Sequence, residues 1–185
     1  MSENRDIDAL ITELTNGSPD NPDAEWQAAL ALGAMTNPAD RDRAVTALVN
    51  LLNSGAAHAL TRSHAVEALG RLGDLAATGA LVTALDDTYR LVRAYAAGAL
   101  GQIGAPAAVI AALTVVLQND AFYGVRAEAV AGLRAAALRA GDAATIQQVR
   151  DVLTQRRAVE VATAEPGVER VIAEIDRALA VLNVG

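Results

Sequence analysis

The sequence predicts an all-α fold, a right-handed α-solenoid of about five antiparallel helix pairs. Three observations point there. A segment recurs: RSHAVEALGRLGD from Arg62, RAYAAGALGQIGA from Arg93 and RAEAVAGLRAAAL from Arg126 superimpose on their arginine at intervals of 31 and 33 residues. Residues are 52% apolar but only 3% aromatic, so alanine and leucine must fill the core, which suits closely packed helices. No stretch alternates apolar and polar residues between turn signals, as a strand would. Residues 1–185 are expected to form a single repeat domain, with clear repeats over about 60–135 and irregular terminal units.

Taken in order, the first pair is expected at roughly 6–15 and 22–35. Its second helix carries EWQAALALGAMTN, a weaker copy with Glu25 where the arginine would stand. The first helices of the next four pairs show apolar residues at helical spacing over Asp40–Asn53, Leu75–Leu85, Pro106–Gln118 and Asp142–Thr154, the last running to about 157. Pro38, Pro106 and nearby aspartates suit helix starts. Gly55, Gly73, Gly104 and Gly141 suit stops. The three arginine-led segments fill the second-helix positions between them. A last helix is expected over roughly 166–183, and VERVIAEIDRALAVL within it reads as the exposed face of a capping helix.

Two units agree beyond this pattern. Asp87 and Asp120 each lie six residues before Arg93 and Arg126; each arginine follows a valine, and Tyr89 and Phe122 occupy matching positions. With Ala96 and Leu100 facing the core, Arg93 projects about 60° to one side, into the seam between units. Asp87 and Asp120 sit at turns leading into their helices. There they are expected to accept backbone N–H groups and to pair with Arg93 and Arg126, a structural ladder knitting adjacent units. Mid-helix glycine costs about 1 kcal/mol relative to alanine. Gly98 and Gly101 are therefore expected either where a side chain would clash or where the helix faces an open groove.

The run Asp87, Val92, Arg93, Ala96, Ala97, Ala99, Leu100, Gly101, Ile103, Gly104 resembles the HEAT-like repeat signature. LVRAYAAGALGQIG followed by AFYGVRAEAV is similar to the short repeats of phycobilisome lyases, the E/F-type bilin lyases and related phycobilisome chaperone or degradation factors. The resemblance implies a protein-binding scaffold that attaches, isomerises or removes a linear tetrapyrrole on phycobiliprotein cysteines. It implies phycobiliprotein subunits and a second lyase subunit as partners. A phycocyanobilin-like tetrapyrrole is the expected ligand or substrate, with no tightly bound cofactor. It supplies no catalytic motif, so the catalytic residues stay unassigned and enzymatic activity stays open. The competing class is a non-enzymatic protein–protein interaction adaptor with no cofactor.

The resemblance also implies that the second helices line the concave surface. Trp26, Ser63, Glu67, Arg71, Gly98, Gln102 and Arg134 lie opposite the core on the helical wheels, with His64, Tyr95 and Glu128 on one flank. Aromatic, arginine and mixed polar groups suit a binding groove. In the tetrapyrrole reading, Arg71 would meet propionates, tyrosine or tryptophan would stack on pyrrole rings, and Glu67 would adjust pyrrole protonation.

Composition closes several alternatives. There is no cysteine, and all 15 basic residues are arginine. Thiolate chemistry, Schiff-base lysines and P-loops are thereby excluded. A net charge of −7 disfavours nucleic acid, including the DNA-lesion enzymes built on helical repeats. His58 and His64 lack metal-ligand spacing, so no metal site is expected. Gly101 and Gly104 follow a helix rather than a strand, unlike a nucleotide loop. The polar start MSENRDID and the short apolar run Ala107–Leu117 suggest a cytoplasmic protein without membrane insertion.

Overall fold

The computed structural model describes residues 6–55, 57–104, 107–163 and 165–183. Among them are ten α-helices: α1 (Ile7–Asn16), α2 (Ala24–Leu32), α3 (Pro38–Ser54), α4 (Ala59–Leu72), α5 (Thr78–Ala84), α6 (Arg90–Ile103), α7 (Ala107–Asn119), α8 (Tyr123–Ala140), α9 (Ala143–Thr163) and α10 (Val168–Leu182). Successive helices pair, and the pairs stack into an all-α solenoid.

Local chemistry sets the boundaries. Asn37 caps α3 by accepting from the Ala39 N–H at 2.9 Å, with Pro38 at the first helical position. Gly73 and Gly141 close α4 and α8 with φ of 67° and 69°, a conformation that favours glycine. Gly104 ends α6 as expected, with an extended backbone instead of a left-handed one. Pro106 lies outside the described residues. Over the expected Leu75–Leu85 helix, a 3₁₀ turn at Leu75–Ala77 precedes a short α5. Asp74 caps that turn by accepting from the Ala76 N–H. Helix α9 runs six residues past the expected 157, because nothing in the sequence breaks it before Pro166 and Glu160 is fully buried on its final turns.

Even-numbered helices form one layer and odd-numbered helices the other, with the core between them continuous from Ile7 to Leu182. The even layer is the more closely packed. A Cβ at Gly33 would lie 2.7 Å from the Ala68 Cβ, at Gly70 2.9 Å from the Ala99 Cβ, and at Gly101 2.6 Å from the Gly132 Cα. Backbone therefore rests nearly on backbone from α2 to α8. The odd helices touch one another less. Gly98 and Gly101 divide the two expected environments: Gly101 is where a side chain would clash, whereas a Cβ at Gly98 would face open space, with the Glu128 Oε2 3.9 Å from it.

At the repeat's arginine position, guanidinium groups bridge the three later seams forward. Arg62 donates to Asp87 at 2.7 and 2.9 Å, Arg93 to Asp120 at 2.7 and 3.1 Å, and Arg126 to Glu160 at 2.8 and 3.3 Å. The pairing differs from the expected Asp87–Arg93 and Asp120–Arg126. Each arginine takes the carboxylate of the next pair and only the backbone carbonyl of its own aspartate: Arg93 to Asp87 O at 2.9 Å, Arg126 to Asp120 O at 3.0 Å. The aspartate side chain is turned toward the preceding unit while it caps its own helix, accepting from Tyr89 N at 2.7 Å or Phe122 N at 2.8 Å. Burial alone would raise the Asp87 pKa, but Arg62 and the Tyr89 N–H outweigh it and hold the carboxyl below its ordinary range. At the last seam Glu160, shared with Arg156 at 2.7 Å, replaces the turn aspartate.

Candidate functional site

The exposed face of the even layer carries a groove in two joined halves. The charged half, about 270 Å³, lies across α4, α6 and α8 and is lined by Glu67, Arg71, Tyr95, Gly98, Gln102 and Glu128. The aromatic half, about 490 Å³, opens toward the helix starts between Leu91, Phe122, Tyr123 and Arg170. Both halves share Ala94, Tyr95 and Glu128. Gly98 keeps the floor of the charged half low; most other residue types would fill it.

Arg71 pairs with Glu67 one turn before it, and His64 Nδ1 lies 3.3 Å from Glu67 Oε2. Burial pushes the Glu67 pKa up, but the hydrogen bonds from Arg71 and His64 together hold it below the usual carboxylate range. Trp26 continues the row, its ring centroid 5.2 Å from that of His64 and its indole N–H donating to Asp23 at 2.9 Å. On α8, burial pushes the Glu128 carboxyl up and nearby Glu174 adds to this, while Arg170, 3.5 Å away, acts in the opposite direction. One wall thus holds a firmly ionised carboxylate and the other a carboxylate that takes up a proton more readily.

The expected residues divide accordingly. Glu67, Arg71, Tyr95, Gln102 and Glu128 converge on the groove, and Trp26 and His64 extend its edge. Ser63 does not belong: it is 2% exposed and donates to the Ala59 carbonyl at 2.8 Å. The wheel placed it outward, but α2 packs over that side of α4. Arg134 is half-buried farther along α8 and does not line the groove. Tyr123 is exposed, with one face against Gly167. Tyr89 and Phe122, at matching positions of their units, are 40% and 43% exposed. Phe122 nevertheless touches the preceding unit, with the guanidinium groups of Arg90 and Arg93 over its ring at 5.1 and 5.9 Å.

Sequence reasoning missed Arg90, Leu91 and Arg170. Arg170 stands in the run read as a plain capping helix. Its one available signal was position, since α10 repeats the even-layer role. Among the described residues, no three His, Asp or Glu side chains are grouped to hold a metal, and no helix is long and apolar enough to cross a membrane.

Comparison with known proteins agrees with this architecture. A model of HEAT repeats matches residues 45–134, and one of the PBS lyase HEAT-like repeat matches residues 25–54. No curated protein matches by sequence. Among solved structures, a designed armadillo repeat protein in complex with the peptide (KR)4 has a TM-score of 0.66 at 20% identity, covering 94% of this chain and 81% of that one. An engineered protein has a TM-score of 0.63 at 22% identity, covering 97% and 80%. The complex of CpcE and CpcF of phycocyanin lyase from Nostoc sp. PCC7120 has a TM-score of 0.57 at 23% identity, covering 84% of this chain and 98% of the other. At these identities the structures speak to the fold alone. The two matched segments together span residues 25–134, and over that span the chain carries HEAT-like repeats.

Proposed function

We propose that this HEAT-like scaffold holds a protein partner on the exposed face of its even-numbered helices, and that the partner is a phycobiliprotein whose linear tetrapyrrole lies in the groove. One observation carries the reading: the charged and aromatic halves form a single groove, with Tyr95 and Glu128 common to both. A linear tetrapyrrole is a long conjugated ligand with two propionates and several ring N–H groups. Arg71 and Arg170 suit the propionates, and Tyr95, Phe122 and Tyr123 suit the rings. Glu128, whose pKa burial raises, can accept a proton from a pyrrole nitrogen or return one. The matched repeat type, named for PBS lyases, supports this choice of ligand over others of similar shape.

The test adds phycocyanobilin, alone and with phycobiliprotein subunits, to the full chain. A changed visible absorption spectrum and co-elution with a subunit are expected, and the Glu67→Ala/Arg71→Ala double variant should weaken both without loss of helicity. An unchanged spectrum together with separate elution would refute the proposal.

A further inference from the structure

A second groove, of about 690 Å³, lies at the other end of the array, at the seam between the first two helix pairs. Its floor is apolar, from Ile11 and Leu14 of α1 and Ala47 and Leu51 of α3. It reaches the edge of the array where the other seams hold their guanidinium–carboxylate bridges. All three later seams carry such a bridge. The first seam carries none at that repeat position; there Arg43 of α3 pairs instead with Asp8 of α1. Glu25 occupies the arginine position, and Ala56, which lies outside the described residues, occupies the sequence position of Asp87 and Asp120. At the repeat's arginine position this seam therefore has a carboxylate, and its Arg43 is already paired with Asp8.

Glu25 is half-buried and lines the groove. Thr61 Oγ1 donates to its Oε2 at 3.2 Å. An ionised carboxylate offers about four acceptor sites, so a hydroxyl leaves most of them for a stronger donor. The rest of the groove does not supply that donor. Arg43, on the wall, is engaged by Asp8, and the remaining charged lining residue is Asp42. The groove thus combines an excess of negative charge at its rim with an aliphatic floor.

We propose that this groove docks an arginine side chain of a protein partner. Its guanidinium takes the Glu25 carboxylate, and its methylene stem lies on Ile11, Ala47 and Leu51. The partner supplies from outside what Arg62, Arg93 and Arg126 supply from within at the later seams. Arginine fits better than lysine because its planar fork matches a carboxylate with two parallel bonds, as Arg62 and Arg93 do here. The site is separate from the tetrapyrrole groove and stands whether or not that reading holds.

The experiment titrates the full ¹⁵N-labelled chain with the blocked peptide acetyl-Ala-Leu-Arg-Leu-Ala-amide and with the same peptide carrying uncharged, isosteric citrulline. Saturable amide shifts clustered around Glu25, Ala47 and Thr61 are expected, with affinity about tenfold or more weaker for citrulline and for Glu25→Gln, the loss of one charge-assisted pair. Thr46→Trp, which fills the groove while leaving Glu25 in place, should abolish the shifts and serves if Glu25→Gln disturbs folding. Equal affinity for both peptides, no saturable shifts, or shifts confined to the face around Glu67 and Glu128 would overturn the proposal.

Discussion

Replacing Asp120 with alanine should destabilise the array far more than its surface position suggests. The carboxylate is 7% exposed and the Arg93 side chain 15%, and they are joined by two hydrogen bonds. Removing one partner of a buried ion pair costs about 3–5 kcal/mol, because the other charge is left uncompensated. Arg93 retains the carbonyls of Asp87 and Thr88, so the lower end, about 3 kcal/mol, applies. Asp120 also accepts from the Phe122 N–H at the start of α8, and losing a helix cap adds about 1 kcal/mol. Asp120→Ala should therefore lose about 4 kcal/mol in urea unfolding, or about 8–16 °C in Tm for a domain of this size. Asp120→Asn keeps an acceptor for the cap and should fall between alanine and wild type. The exposed Arg157–Asp176 pair provides the control, and Asp176→Asn should leave the midpoint unchanged. If Asp120→Ala shifts the midpoint no more than Asp176→Asn does, the seams are not held by these bridges.

Two glycines one turn apart should respond with opposite signs. Gly101→Ala forces a methyl against the Gly132 backbone and should cost about 1–3 kcal/mol, whereas Gly98→Ala points into the open groove and should gain about 1 kcal/mol; chemical denaturation of each measures both. For pH, the Asp87 carboxyl is held below its unfolded value of about 3.9. Its contribution to stability is complete above that value and is lost as pH falls through the lower native one, so Asp87→Asn should flatten the acid limb of the stability profile. Glu128 has the reverse sign: its native pKa is raised, so its ionised form opposes folding near neutral pH. Glu128→Gln should leave the neutral-pH urea midpoint equal or higher while reducing the spectral response to phycocyanobilin.

The architecture was legible because the repeat writes it several times. Arginine, alanine and leucine at fixed spacing in three segments place three even-layer helices, and the glycines inside them mark either contact or groove. The direction of the seam bridges was not legible. A period places Asp87 and Arg93 in one unit, but whether a side chain turns to its own unit or the previous one depends on how far apart the pairs stack. Glu160 was hidden for a related reason. The last seam replaces a turn aspartate with a glutamate deep in α9, breaking the spacing that identified the other rungs. Ser63 shows the limit of the helical wheel, which assumes one buried face, whereas a helix inside a stack is covered on both flanks. Arg170 joins the groove from a helix whose own sequence carries no repeat signature.

Hydrogen–deuterium exchange on the full chain, with and without a phycobiliprotein subunit and phycocyanobilin, tests most directly which face works. Protection gathered on α4, α6 and α8, over Glu67–Arg71 and Tyr95–Gln102 and around Glu128, is the result the groove predicts. Protection confined to the odd-numbered helices, or none at all, would contradict it.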